Sequence, residues 1–532
     1  LTVTDVAVRP LENIPGPAAE SQPRAKRAGL AFKAALFVFI AVAVVVRFSA
    51  RQALWLDEAQ SVAIARLPLT GPGTTLFDGL RQDGSPPLYY LLLHGWIELF
   101  GVGTFAVRAL SALMNLAAVG PLFLLARRVV GVRAARVTAV LYLTSPFALY
   151  FATETRMYSL VVLLTAAGGL ALEATLRRRS PGSVAALALC AGMLALTHYW
   201  CFYLLFTVAG WLLLVLARPR PAWGVQAPLV ALGGIAAGGL VFAPWLGGFS
   251  YQMAHTGTPW GEPATFAAIA HAYGQWAGGP TTQGRTLLFL ITGLAAAGVA
   301  GRAVDGRYVL LDLKGMEPGR TLFLLATVTL FVAVAAGKVV GNAWADRYTA
   351  TAFVPFLLVI GLGATVAVDS RLFRGIIVVC ALLGLVGGYG DLSRTRTQAG
   401  EAASALAHLG RPGDVLLVCP DQLGPGLART VPAWMRVHVV PTYAPPDRVD
   451  WTDYEERNAK ANGVIVADRA LAEAGPANTV FLAGSGAYRT YETLCTQVRG
   501  RLQDSRPRAD EVMRQGTPAR VWENFTLLRF QP

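Results

Sequence analysis

PPLYYLLLHGWIELF, residues 86–100, decides the topology of this chain. It is apolar enough to pass for a membrane span. Yet its 15 residues fall short of a span, and it carries His94 and Glu98; a crossing helix needs about 20 mostly apolar residues. Counted as a span, it would put the next basic turn, Arg127, Arg128, Arg133 and Arg136, outside the cell. Read as an amphipathic helix lying on the outer membrane surface, it leaves that cluster in the cytoplasm, where basic loops belong. A similar short helix is expected after Leu56, and another near 264–276.

Working outward, eleven spans are expected, near 34–50, 105–126, 137–153, 158–176, 183–199, 200–217, 226–245, 286–301, 321–339, 349–368 and 375–391. With the N-terminus inside, the inner loops hold Arg177, Arg178 and Arg179; Arg218 and Arg220; Arg302, Arg307, Lys314 and Arg320; and Arg371 and Arg374. Nearly every alternate loop is basic, as the positive-inside rule requires. Residues 1–33, with Arg24, Lys26, Arg27 and Lys33, read as a cytoplasmic tail, not a cleaved signal, because the apolar run behind them is a full span. Composition agrees. Of 532 residues, 54% are hydrophobic and 15% charged, and mean hydropathy is +0.47; soluble domains run near 45–50% and about 25%. The net charge of +14 sits in alternate loops, which argues against a nucleic-acid partner.

After Gly390 the long apolar runs stop. Residues 34–391 therefore read as a transmembrane domain with surface helices in its 51–104 and 246–285 outer loops. Residues 392–532 read as a soluble α/β domain, which an odd number of spans places outside. DVLLVC (414–419), VIVAD (464–468) and TVFLAG (479–484) look like strands of a mainly parallel sheet. GEAASALAHLG (400–410) and AYRTYETLCTQVRGRL (487–502) look helical. Cys419 and Cys495 are either bonded in an oxidising compartment or free.

The polar residues of the membrane part gather on the outer side. The first outer loop carries Asp57 and Glu58, then Asp83, Gly84, Ser85 and Pro86. The next carries Glu154, Arg156 and Tyr158, and the third His198, Tyr199 and Trp200. The 246–285 loop carries His255, Trp260, His271 and Trp276. A late loop carries Asp346, Arg347 and Tyr348. Ionisable residues are costly in lipid and mark function. A carboxylate can take a proton from a hydroxyl, and arginine's forked donors suit a phosphate. With no nucleotide motif in view, a lipid-phosphate-activated substrate fits this boundary best.

These marks, in this order, resemble the GT-C membrane glycosyltransferases, in particular the branch of the protein O-mannosyltransferases and the lipid A aminoarabinose transferase (glycosyltransferase family 39-like). The resemblance spans about residues 34–390. It rests on Asp57-Glu58 after the first span, the Pro86-Pro87 surface helix ending Leu99-Phe100-Gly101, Arg108 opening the second span, Leu125-Ala126-Arg127-Arg128, Ser145-Pro146 and Arg347-Tyr348. Ser85 stands where relatives carry a basic residue or His, and Glu154 where they often carry Asp. The C-terminal domain has no counterpart in the resemblance. The fold it implies is polytopic and α-helical. The activity it implies is inverting transfer of a sugar, such as a mannosyl or arabinosyl group, from a polyprenyl-phosphate donor. The acceptor would be a hydroxyl of a cell-envelope glycan, lipid or protein.

Asp57 is then the general base, or else the N-cap of a helix over 58–66. Base and phosphate grip should flank the sugar from opposite sides. Arg347 is expected to hold the phosphate, with Tyr348 beside it. Glu58, Asp83, Glu154, Arg156, Tyr158 and His198 are expected to contact substrate, with Glu154 and Arg156 either both facing the cavity or pairing with each other. Asp57, Glu58 and Asp83 offer hard oxygen ligands that would suit Mg²⁺ or Mn²⁺, and the histidines show no zinc spacing. The competing function is a transporter or flippase of lipid-linked sugar, which would place its polar groups near the midplane.

Overall fold

The structure, a computed structural model, describes residues 22–532 apart from 220–222, 258–261, 305–307, 313, 316, 342, 368, 485–487, 489–492 and 519. Trp260 and most of the N-terminal tail lie outside the described residues. Among those described, eight helices are long and apolar enough to cross a membrane: Gly29–Val46, Thr104–Val129, Tyr158–Arg178, Gln226–His255, Thr282–Ala300, Gly319–Val339, Asp346–Ala364 and Arg371–Ser393.

A further apolar stretch is a bent pair of helices, either a broken span or a re-entrant loop. Val132–Thr144 and Pro146–Ala152 meet at 55°. Proline has no N–H to continue the helical ladder, and Ser145 starts a new helix by accepting the Ala148 N–H at 3.4 Å. The expected spans 183–199 and 200–217 appear as shorter apolar helices, Pro181–Ala195 and Cys201–Leu216. They stop early because Thr197, His198 and Tyr199 form the turn between them. The 301–320 loop holds a hairpin, Gly301–Val304 paired antiparallel with Tyr308–Leu311, which hydropathy and charge do not reveal.

The deciding stretch forms the helix Leu88–Phe100, too short to be a span. It buries Tyr89, Tyr90, Leu93 and Ile97 at helical spacing and leaves Leu99 and Phe100 exposed. The other two expected short helices form over Leu56–Ala65 and Ala267–Trp276. A further helix, Leu76–Asp83, ends where Gly84 turns left-handed at φ 80°, a conformation glycine adopts without strain.

The C-terminal domain is α/β, with two corrections. VIVAD is not a strand: it opens the helix Gly463–Ala474, because the Asn462 side chain accepts the Val464 and Ile465 N–H groups at 2.9 and 3.4 Å. Its buried positions, Val466, Ala467, Ala470 and Ala474, follow the helical period, which the β-branched run conceals. Nor is the sheet mainly parallel. Half its pairings are antiparallel: Arg436–Val439, Val415–Cys419 and Val480–Gly484 pair parallel, and Thr526–Phe530 pairs antiparallel with both Val480–Gly484 and Ala509–Met513. Cys419 and Cys495 form a disulfide, tying the strand Val415–Cys419 to the helix Leu494–Ser505.

This domain is fastened to the loops at one end of the helices. Gln60 imitates a backbone unit, donating to Val449 O and accepting from Val449 N–H, both at 2.8 Å. The Trp451 N–H donates to Gln82 O at 2.9 Å, and Arg429 donates to Val102 O at 2.6 Å. Gln52 reaches Leu392 O at 2.6 Å. The candidate residues lie under this seam.

Candidate active site

The helix Leu56–Ala65 carries the acidic pair, and its start is set from far away. Its N-cap, Trp55, makes no side-chain cap. The Leu56 N–H instead donates to the Glu523 carboxylate at 3.0 Å. An acid at a helix N-terminus is favoured by the helix dipole, and here the C-terminal domain supplies it. Asp57 therefore is not an N-cap: it stands inside the first turn, its side chain released from that task.

The two neighbours part ways. Glu58 is fully buried. Arg108 grips it with two charge-assisted bonds, Nε to Oε1 at 2.8 Å and Nη2 to Oε2 at 2.6 Å. Arg396 closes to 3.3 Å and the Thr155 N–H donates at 3.0 Å. Burial works to raise its pKa, but Arg108 and Arg396 outweigh it and bring the carboxyl down to about 2. So both Glu58 oxygens are taken up by Arg108, Arg396 and the Thr155 N–H, which form a clasp around it.

Asp57 lies on the open side of the same turn. Its Oδ2 is 3.4 Å from Arg347 Nη2 and 3.9 Å from Arg156 Nε. The expectation that acid and phosphate grip stand apart is thus not met in this arrangement: Asp57 and Arg347 touch. Arg347 also lies 5.9 Å over the Trp55 ring, so the first and last loops close on each other.

Arg156 and Glu154 do not pair through their side chains. Arg156 Nη1 donates to Ser61 Oγ at 3.1 Å and Tyr90 OH at 3.2 Å. Glu154 Oε1 accepts from Trp55 Nε1 at 3.0 Å. Burial, opposed by Arg396 and reinforced by Glu58 and Asp57, pushes the Glu154 carboxyl up to about 7. Asp83 accepts from Tyr90 OH at 2.9 Å and from Gln60 at 3.2 Å. A continuous polar chain thus runs Asp83, Tyr90, Arg156, Asp57, Arg347. Tyr90 joins it through its hydroxyl, which donates to Asp83 and accepts from Arg156.

One wall is aromatic. Tyr348 packs on His198 at 4.7 Å and on Trp200 at 5.1 Å, and His198 lies 5.8 Å from Tyr158. His198 Nδ1 accepts the Trp200 N–H at 3.1 Å. Burial, with Arg156 and Arg347 nearby, holds its pKa down near 3. It can offer a neutral Nε2–H donor, not a positive charge.

Several buried polar atoms here lack a hydrogen-bond partner: Asp57 Oδ2, Glu154 Oε2, Thr155 Oγ1, Arg156 Nε and Tyr158 OH. Such atoms are uncommon in folded proteins and costly. Their clustering in one place marks where a polar ligand fits. A metal fits less well. Among the described residues no three His, Cys, Asp or Glu side chains converge; Glu58 is taken up by arginines, and Asp83 by Tyr90 and Gln60. The 246–285 loop packs beside the other loops: His255 meets Asp453 at 3.2 Å, His271 meets Asp346 at 3.2 Å, and Trp276 bonds Thr349 at 2.9 Å.

Arg396 and Glu523 were missed from the sequence. Arg396 donates to Thr153 O and Oγ1, both at 2.8 Å, as well as meeting Glu58. Neither residue sits in a local pattern; only the fold brings them here. Arg108 was seen as a mark of resemblance, without its role.

Residues 84–247 match the family model for dolichyl-phosphate-mannose-protein mannosyltransferase. That stretch holds Arg108, Glu154, Arg156 and His198, but neither Asp57 nor Arg347. Among curated proteins none is similar enough in sequence to count as a relative. Among solved structures, ArnT from Cupriavidus metallidurans in the apo state superposes with a TM-score of 0.58 at 14% identity, over 92% of this chain and 97% of that one. The same protein bound to undecaprenyl phosphate gives 0.54 at 14%, with the same coverage. The fold is therefore the GT-C fold that ArnT also has, and residues 84–247 resemble the protein mannosyltransferase family. Coverage of 92% also corrects the expected limit at residue 390: the C-terminal domain has a structural counterpart.

Proposed function

We propose that this chain transfers a sugar from a polyprenyl-phosphate donor to an acceptor hydroxyl of a cell-envelope glycan, lipid or protein. The observation that carries this is the meeting of Asp57, Arg156 and Arg347, from three separate loops, among buried polar atoms that lack partners. Supporting it are the GT-C fold and the undecaprenyl phosphate named for one similar structure.

The donor phosphate competes with Asp57 for Arg347. As it binds, it draws the guanidinium away and leaves the Asp57 carboxylate free to turn to the acceptor. Asp57 takes the proton of the acceptor hydroxyl while its oxygen bonds to the anomeric carbon. The bond from that carbon to the phosphate oxygen breaks, and the electron pair leaves with the polyprenyl phosphate. Arg347 and Arg156 stabilise the charge that grows there, and attack from the far face inverts the sugar carbon. His198 donates a neutral hydrogen bond, and Tyr348 and Tyr158 line the wall. No step requires a divalent cation to be placed.

The N-terminus lies in the cytoplasm, and the site and the C-terminal domain lie outside. The alternating arginines and the disulfide support this orientation. An impermeant thiol reagent on intact cells should label Lys460→Cys and spare Lys314→Cys; the reverse pattern would refute it.

For the reaction, the purified chain in liposomes is given a polyprenyl-phosphate sugar and a soluble hydroxyl acceptor. Release of polyprenyl phosphate with glycosylated acceptor is expected. If the donor merely changes leaflet unaltered, the chain is a flippase.

A further inference from the structure

A second cavity, of about 520 Å³, lies between the helices Tyr158–Arg178, Pro181–Ala195, Cys201–Leu216 and Gly319–Val340. It contains none of the site residues described above. Its bore is apolar, walled by Leu172, Leu187, Leu194, Leu204, Val208 and Leu358. Leu204 and Val215 both line it; at about 1.5 Å per residue their separation along one helix is roughly 16 Å. It is a channel, long and narrow.

Its mouth is charged. Arg128, Arg177 and Arg218 line it, together with Glu173 and Glu317. Arg128 meets Glu173 at 3.0 Å, Arg177 also bonds Glu173, and Arg320 meets Glu317 at 3.0 Å. Three lining guanidiniums thus face two lining carboxylates, and the mouth is net positive. Trp223 stands half-exposed beside it, packed edge-on against Trp211 at 5.9 Å, as aromatic residues do at headgroup depth.

This mouth is remote from the candidate active site. Tyr158 lines that site, and Arg177 lies at the other end of the same helix, about 28 Å away by helical rise. The cavity mouth and the candidate active site thus lie toward opposite ends of this helix. Protein interiors are close-packed, and an apolar void of this size forfeits dispersion contacts along its whole wall. A hydrocarbon chain restores them, and a phosphate at the mouth balances the excess arginine charge.

We propose that this cavity binds one anionic phospholipid of the inner leaflet, an acyl chain in the bore and its phosphate against Arg128, Arg177 and Arg218. Free phosphate would satisfy the mouth but not the bore. A zwitterionic phospholipid would fill the bore but carries no net charge to the mouth.

The test uses the full chain, delipidated in detergent, with lipid retention read by native mass spectrometry. Wild type should retain one palmitoyl-oleoyl phosphatidylglycerol, about tenfold more tightly than the matching phosphatidylcholine. Excess inorganic phosphate should not displace it. The pair Arg128→Gln with Arg177→Gln should erase the tenfold preference. Val208→Trp, which fills the bore, should release both lipids. The Gln pair alters only partly exposed side chains at the mouth, so it tests the proposal even if the Trp variant fails to fold. Equal retention of the two lipids by wild type would overturn the proposal. So would displacement by phosphate, or unchanged retention in folded Val208→Trp.

Discussion

Asp57 and Glu58 are adjacent in sequence and belong to two different regions of the molecule. Glu58 lies in a clasp where every charge is matched: two arginines, a backbone N–H, full burial. Asp57 lies on an edge where the acid touches Arg347 at 3.4 Å and polar atoms are left without hydrogen bonds. One turn of helix thus presents a fully gripped acid inward and a partly gripped acid outward. A buried ion pair complete in itself supports architecture; an incomplete one at a cavity edge suits chemistry. The difference is set by the C-terminal domain, which sends Arg396 into the clasp and Glu523 to the head of the helix.

If the clasp is structural, breaking it should unfold the protein before it alters chemistry. Glu58→Gln leaves Arg108 and Arg396 buried against each other, and should cost about 3–5 kcal/mol of stability, read as loss of the folded fraction in a detergent melt. The clasp also has a pH signature. Because the Glu58 pKa is lowered from 4.5 to about 2, its contribution is full above pH 4.5 and disappears as pH falls through about 2. Wild type should lose stability across that window, and Glu58→Gln should lose less.

The edge should respond in binding, not folding. Arg347→Ala should weaken donor affinity by about 1.5–3 kcal/mol, the worth of a hydrogen bond to a charged group. Arg347→Lys should recover only part, lacking the fork. Isothermal titration with polyprenyl phosphate reads both; unchanged affinity in folded Arg347→Ala would remove Arg347 from the phosphate site.

Between clasp and edge stands Glu523. Glu523→Gln keeps an acceptor oxygen for the Leu56 N–H but loses the charge that favours the helix N-terminus, an effect of about 0.3–1 kcal/mol. Turnover should fall slightly with donor affinity unchanged.

The effect expected at Glu154 is one of pH. Its pKa is raised from 4.5 to about 7, so it favours the folded state below pH 4.5, and that contribution fades as pH rises through about 7. Glu154→Gln should flatten the fall in stability between those values, measured by melting across pH.

The sequence shows the membrane architecture because arginine in alternate loops and apolar run length are local signals. It shows that Asp57, Glu154, Arg156 and Arg347 share a face, since topology alone brings their loops together. It does not show which acid is locked. That depends on Arg396 and Glu523, and the hydrogen bond from Leu56 to Glu523 joins residues 467 apart in the chain. VIVAD misleads for the opposite reason, because Asn462 overrides by local capping what its β-branched composition suggests.

The most direct test of the account is Asp57→Asn, measured for turnover and donor affinity on the same folded preparation. The substitution keeps the shape, cannot accept the proton, and removes the charge that competes with the donor phosphate for Arg347. Turnover should fall by about 10²–10⁴-fold, while polyprenyl phosphate binds as tightly as to wild type or more so. Near wild-type turnover, or a loss explained entirely by weaker donor binding, would contradict it.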